Sequence, residues 1–174
     1  MGAIIAVVNK KGENATDTAV AMLKILKHED VEAFGIASPT IVKIENSIEA
    51  LQNQNVNSSV VVGHAFSKIL PLDKPQPVKL ENATLVFEGR IYPTQTEISD
   101  AEAVAKKLPH NHEKNIKTII KEVEGEFAFA SAESQRLVAG RDTMGIRPLY
   151  YGENTDYAVL ASERKAFWRI ELKR

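Results

Sequence analysis

The segment from Gly125 to Ala161 limits the possible folds more than any other part of the chain. In GEFAFASAESQRLVA, Phe127 and Phe129 alternate with small residues at period two, the pattern of a strand with one buried face. Ser131 to Gln135 supply a polar turn, and Leu137-Val138-Ala139 return as a second strand. GRDTMGIRPLYYG, Gly140 to Gly152, then reads as strand, tight turn, strand. Gly145 stands where a turn residue needs positive φ, and Pro148 fixes the backbone before two tyrosines. Tyr157 to Leu160 form another strand that runs into ASERKAFW. Taken alone, this is a β-meander of the kind any α+β protein can contain.

The preceding chain alternates strands with helices. Ala3 to Val8 is a short apolar run rich in β-branched residues, a buried strand, followed by a turn at Asn9 to Gly12. Asn14 or Thr16 caps a helix in which Ala19, Leu23 and Leu26 share a face. Ala33 to Ile36 and Val60 to Val62 read as strands, with a short helix over Ser47 to Asn53 between them. Thr84 to Phe87 is a strand leading into Glu88-Gly89-Arg90-Ile91-Tyr92. Ser99 and Glu102 have capping-box spacing at the start of a helix that Pro109 stops. Ile116, Ile119, Ile120 and Val123 mark one face of a further helix.

With 174 residues the chain has room for one sizeable core, and its net charge of −1 disfavours nucleic acid or a polybasic membrane surface as the default partner. No apolar run is long enough to span a bilayer and no leader pattern precedes a cleavage site, so the expected location is the cytoplasm. There is no cysteine, which excludes disulfides, thiolate metal sites and a cysteine nucleophile. His110 and His112 in PHNHEK lack a third ligand, so no metal and no cofactor is expected.

GEFAFA, GRDTMGIRPLYYG and LASERKA, in that order and at that spacing, resemble the end of the amidotransferase domain of asparagine synthetase-like enzymes. These are class II glutamine amidotransferases of the N-terminal-nucleophile hydrolase superfamily. Gly63-His64 after a strand and the Pro-rich KILPLDKPQPV loop extend the resemblance over nearly the whole chain. Where the family has His-Arg-Gly-Pro-Asp, this chain has His28-Glu29-Asp30-Val31-Glu32. The resemblance implies an α+β fold, a four-layer αββα sandwich of two antiparallel sheets flanked by helices. It also implies a single amidotransferase-like domain over residues 1–174, without the family's synthetase (ATP-pyrophosphatase) domain.

Glutamine hydrolysis in such a domain uses a cysteine exposed at the N-terminus, whose free α-amino group acts as base. The family takes oxyanion donors from the Asn and Gly of Asn-Gly-Glu. It holds the substrate's α-carboxylate with an arginine after Gly-His, and its α-ammonium with the Glu of Asn-Gly-Glu and an Asp of Ser-Asp-x-Glu. Carried over residue by residue, Gly2 replaces the nucleophile, Glu88 the oxyanion-hole Asn, Arg90 the ammonium-binding Glu, and Phe66 the carboxylate-binding arginine. Gly89 and Asp100 are kept. Loss of one oxyanion donor alone costs roughly 2.7–4 kcal/mol in the transition state.

Plainer roles compete at several positions. Asp100 opens a helix and favours its macrodipole with or without a ligand. His64 at a strand end reads as a satisfied core or turn histidine, and Arg141-Asp142 as a structural charged pair. Glu88 and Arg90, two apart on a strand, face the same side. Either they pair with each other, or they recolour the pocket so that Arg90 can hold a carboxylate. The expectation is a degenerate amidotransferase domain with no catalytic residues, serving as a binding or scaffold module. Its partner would be a separately encoded synthetase subunit or an amino-acid-like ligand. The alternatives are a non-hydrolytic subunit of an amide-forming enzyme and, more weakly, a hydrolase with another nucleophile.

Overall fold

In the computed structural model, residues 2–108, 116–117 and 120–170 are described. The elements, in chain order, are β1 (Ala3–Asn9), α1 (Thr16–Ile25), β2 (Ala33–Ala37), β3 (Val42–Glu45), α2 (Ile48–Gln52), β4 (Val60–Phe66), β5 (Val78–Lys79) and β6 (Thr84–Ile91). There follow α3 (Asp100–Lys106), β7 (Gly125–Ala132), β8 (Leu137–Arg141), β9 (Tyr150–Glu153), β10 (Tyr157–Ala161) and a 3₁₀ turn, Arg164–Arg169. One sheet has the order β3-β2-β4-β1-β10-β9 and the other β5-β6-β7-β8. Every neighbouring pair is antiparallel.

Period-two alternation builds four layers. On β1, Ile5 and Val7 turn outward and pack with Ala19, Val20 and Leu23 of α1. On β6 and β7, Leu85, Phe87, Phe127 and Phe129 turn the other way, toward Ala101, Val104 and Ala105 of α3. Ile4, Ala6, Val60, Val62, Val86, Ala128, Ala130 and Ala132 fill the gap between the sheets. Three alanines on one strand keep that inner layer thin. The helix–sheet–sheet–helix order is the αββα sandwich expected.

Local details differ from the sequence reading in four places. The N-cap of α1 is Ala15, and neither Asn14 nor Thr16 makes a side-chain cap bond. Instead Asn14 Oδ1 accepts from the N–H of Thr16 at 3.0 Å and of Ser58 at 3.2 Å, tying the helix entrance to the start of β4. The strand at Gly125 runs on to Ala132, so the turn shifts toward Glu133–Arg136, whose side chains pair with each other. β3 was not expected, because VKIE buries neither face fully and gives no apolar run. Finally, Asp142 does not pair with Arg141. Its buried carboxylate accepts from the N–H groups of Phe127, Ile146 and Arg147, and so fixes the β8–β9 turn to β7.

The capping box of α3 is present as expected: Ser99 Oγ accepts from Glu102 N at 3.2 Å, and Glu102 Oε2 from Ser99 N at 2.9 Å. Gly145 has φ of 65°, with the Arg141 guanidinium lying against it. Ile116, Ile120 and Val123 pack on the α3 cluster. Pro109, His110, His112 and Ile119 lie outside the described residues. Among the described residues no helix is long and apolar enough to cross a membrane.

Candidate active site

Strand parity assembles the site. On β1, β4 and β6 the even-numbered residues Ile4, Val62 and Val86 face the gap between the sheets. Continuing each strand at the same parity brings Gly2, His64, Phe66, Glu88 and Arg90 to one end of that gap. There they line a common pocket together with Gly89, with Asp100 from the start of α3, and with Asp73 and Gln76 from the β4–β5 connection. All six positions singled out in the sequence are therefore neighbours. The pocket's cavity is only about 40 Å³. That holds about three waters, against the roughly 300–1,000 Å³ of ordinary ligand sites.

Its own side chains fill it. A Cβ built on Gly2 would stand 2.5 Å from Glu88 Oε2, 3.1 Å from Ala65 O and 3.3 Å from His64 Cε1. The Glu88 carboxylate thus occupies the space in which a side chain at position 2 would begin. Glu88 does not pair with Arg90. Its carboxylate lies beside the His64 ring, with Nε2 at 3.6 Å from Oε2, too long for a hydrogen bond. His64 is 2% exposed and neither ring nitrogen has a hydrogen-bond partner among the described residues, so it is not the satisfied histidine expected at a strand end. Phe66, also buried, lies with its ring centroid 6.2 Å from that of His64.

Arg90 is clamped instead by Asp73, Nη1 to Oδ1 at 2.9 Å and Nη2 to Oδ2 at 2.7 Å, with Asp100 Oδ2 a longer 3.4 Å from Nη1. Burial alone would raise the Asp73 carboxyl. The guanidinium and the N–H groups of Ile69 and Leu70 outweigh it and hold Asp73 below the usual range. Burial likewise works against the charge on Arg90, and the two carboxylates more than restore it. For Asp100 burial prevails over the attraction of Arg90, and its pKa is raised. Gly89, between Glu88 and Arg90, has φ of 131°, and its absent Cβ would lie 2.7 Å from Phe127 Cα. Only glycine fits there.

Three contributors escaped the sequence reading: Asp73, Gln76 and Arg147. The first two sit in the Pro-rich connection, which has no periodicity. The only local hint was an acid three residues after Leu70, positioned to cap its own turn. A second hollow of about 440 Å³, rimmed by His28, Asp30, Pro148, Ser162 and Glu163, adjoins the pocket, and Gly2, Glu88 and Arg147 line both.

The family model of the glutamine amidotransferase domain matches residues 65–169. The chain belongs to this family. A Methanocaldococcus jannaschii protein named "Putative asparagine synthetase (glutamine-hydrolyzing) 1" is 27% identical over 188 residues, covering 98% of this chain and 34% of that protein. The domain thus spans about a third of that relative's length. Two solved structures share the fold. The glutamine phosphoribosylpyrophosphate amidotransferase of B. subtilis superposes with a TM-score of 0.79 at 20% identity, over 98% of this chain and 44% of the other. A structure described as the allosteric regulatory enzyme of purine biosynthesis gives 0.78 at 18% identity over the same shares. The αββα sandwich is therefore that of the N-terminal-nucleophile amidotransferases, and the domain is related to asparagine synthetase.

Proposed function

We propose that this amidotransferase domain lacks glutaminase activity and acts as a binding or scaffold module. The observation that carries the reading is the Glu88 carboxylate, 2.5 Å from where the first side-chain atom of residue 2 would stand. In the family resemblance that atom bears the nucleophile and residue 88 the oxyanion donor. Here one residue has no side chain and the other presents an anion, which opposes development of a negative tetrahedral oxygen. Phe66 offers no charge for an α-carboxylate, and Arg90 would repel an α-ammonium. The test is ammonia release from glutamine by the purified protein. The expected result is no release above a heat-killed control; turnover of about 1 s⁻¹, the low end for ordinary enzymes, would overturn the reading. A second reading, a non-hydrolytic subunit of an asparagine synthetase-like enzyme, draws on the similarity to a relative three times as long. Co-purification with a separately encoded synthetase subunit would favour it.

A further inference from the structure

The larger sheet ends at β9, which pairs with β10 on one side and with no strand on the other among the described residues. Which of its backbone groups are left over follows from the hairpin. The N–H of Asn154 donates to the carbonyl of Tyr157 at 2.9 Å, so that pair is of the hydrogen-bonded kind. Bonded and non-bonded pairs alternate along an antiparallel ladder. Gly152 and Tyr150 therefore bond to β10, and the N–H and C=O groups of Tyr151 and Glu153 point outward. The side chains tell the same story. Four of the nine large apolar side chains exposed among the described residues fall on β9 and the turn before it: Met144, Ile146, Tyr150 and Tyr151. Tyr151 lies opposite Leu160, on the side facing the smaller sheet, yet is 62% exposed. β9 thus reaches past the cover of that sheet.

We propose that β9 pairs with β9 of a second copy of this chain, antiparallel about a two-fold axis through Gly152. In this register Tyr151 of one copy lies opposite Glu153 of the other, and all four outward groups of each strand find partners. The residue on the axis, where the two backbones meet most closely, is the one on the strand without a side chain. No like charges stand directly opposite, and each Glu153 is already neutralised by Lys10 at 2.7 Å. The other end of the sheet fits less well. β3 carries Lys43 and Glu45 within four residues, charges that oppose strand addition. Pairing of β9 with β3 of another copy would also leave free ends and run on as a filament, whereas β9 with β9 closes at two.

The experiment measures self-association of the full chain by sedimentation velocity, from about 10 µM to about 1 mM, the range of a small interface. The expected result is a reversible monomer–dimer equilibrium. Tyr151→Pro removes an outward N–H and spares the bonds to β10, a position an edge strand tolerates; it should weaken the dimer about tenfold or more. The register is read by cross-linking, since the chain has no cysteine of its own. Under oxidation by diamide, Gly152→Cys should form a disulfide-linked dimer, its two Cα atoms lying about 4.5 Å apart across the axis. Tyr150→Cys should not, because its copies stand about 14 Å apart. A chain that stays monomeric throughout, leaving this edge to a strand of some other protein, overturns the proposal. So do species that grow beyond the dimer, a folded Tyr151→Pro protein that associates as the wild type does, or equal cross-linking of the two cysteine variants. If Tyr151→Pro does not fold, the concentration series and the cysteine pair decide alone.

Discussion

Restoring a side chain at position 2 should cost stability only while Glu88 is present. In Gly2→Ala the new Cβ would lie 2.5 Å from Glu88 Oε2, where ordinary contact begins at 3.4 Å, so the carboxylate must retreat by about 0.9 Å. It is the end of a flexible side chain and can move, but only away from its place beside His64. The Ala65 carbonyl at 3.1 Å is backbone and cannot move as easily. Overpacking of this size costs about 1–3 kcal/mol. A gain of about 0.4–1 kcal/mol from the stiffer unfolded chain offsets part of it. The net expectation is a loss of about 1–2 kcal/mol. In a Glu88→Ala background the shortest contact disappears and the same substitution should fall within about 0.5 kcal/mol of neutral. The coupling between the two sites is then about 1–2 kcal/mol, well beyond the additivity of independent positions. Urea denaturation of the four proteins measures it. Far-UV circular dichroism is the better probe, since the lone tryptophan, Trp168, is 82% exposed. Equal costs in the two backgrounds would show that Glu88 does not occupy the space of a residue-2 side chain.

The same crowding bears on activity. Gly2→Cys with Ala3→Gly should release no ammonia from glutamine. Adding Phe66→Arg, Glu88→Asn and Arg90→Glu should be needed for turnover, with strongly non-additive effects; an active two-residue variant would refute this. Ser99→Ala should lower stability by about 1 kcal/mol by denaturant titration. Its partner Glu102 is held at about 2, chiefly by Lys74 and by the Ser99 N–H, against 4.5 unfolded. Its contribution is therefore complete above pH 4.5 and lost as pH falls toward 2. The stability difference between wild type and Glu102→Gln should shrink across that window. Asp142→Ala should cost about 3 kcal/mol or more, because three N–H groups lose a charged acceptor in a buried turn. Burial would raise the Asp142 carboxyl, but those N–H groups keep it below 3.8, so its contribution persists above pH 3.8 and falls away on further acidification.

The central strands were legible in two ways: β7 because Phe127 and Phe129 alternate with small residues, and β1 because Ala3 to Val8 is an unbroken apolar run rich in β-branched residues, buried on both faces. β3 was not, since an edge strand with both faces partly wet has no pattern to read. The six pocket positions were legible through ordered motifs, and strand parity then explains why motifs so far apart in the chain meet. Their partners were not. Glu88 and Arg90 share a face, which made a pair plausible, yet each charge goes to the neighbour its own end of the pocket supplies. Arg90 finds Asp73, seventeen residues earlier on a segment without periodicity. Glu88 finds His64, which only the packing of two sheets brings near. Residue types fixed what the pocket could not hold, and the folding of the β4–β5 connection fixed what fills it.

The Gln76 side chain has a consequence for the outer flank of the smaller sheet. β5 pairs with β6 only at Val78–Leu85 and Lys79–Thr84. Further along β6, the N–H and C=O of Phe87 point away from β7, toward the side a neighbouring strand would occupy. Gln76 meets both with its amide, Oε1 accepting at 2.7 Å and Nε2 donating at 2.9 Å. One side chain thus imitates a peptide unit and continues the ladder beyond the last residue of β5. Bare peptide groups at such a margin are a template on which a second chain can add as a strand, the first step of aggregation. The segment that lines the pocket therefore also covers the free side of β6, and loosening it would lay bare an edge prone to aggregation.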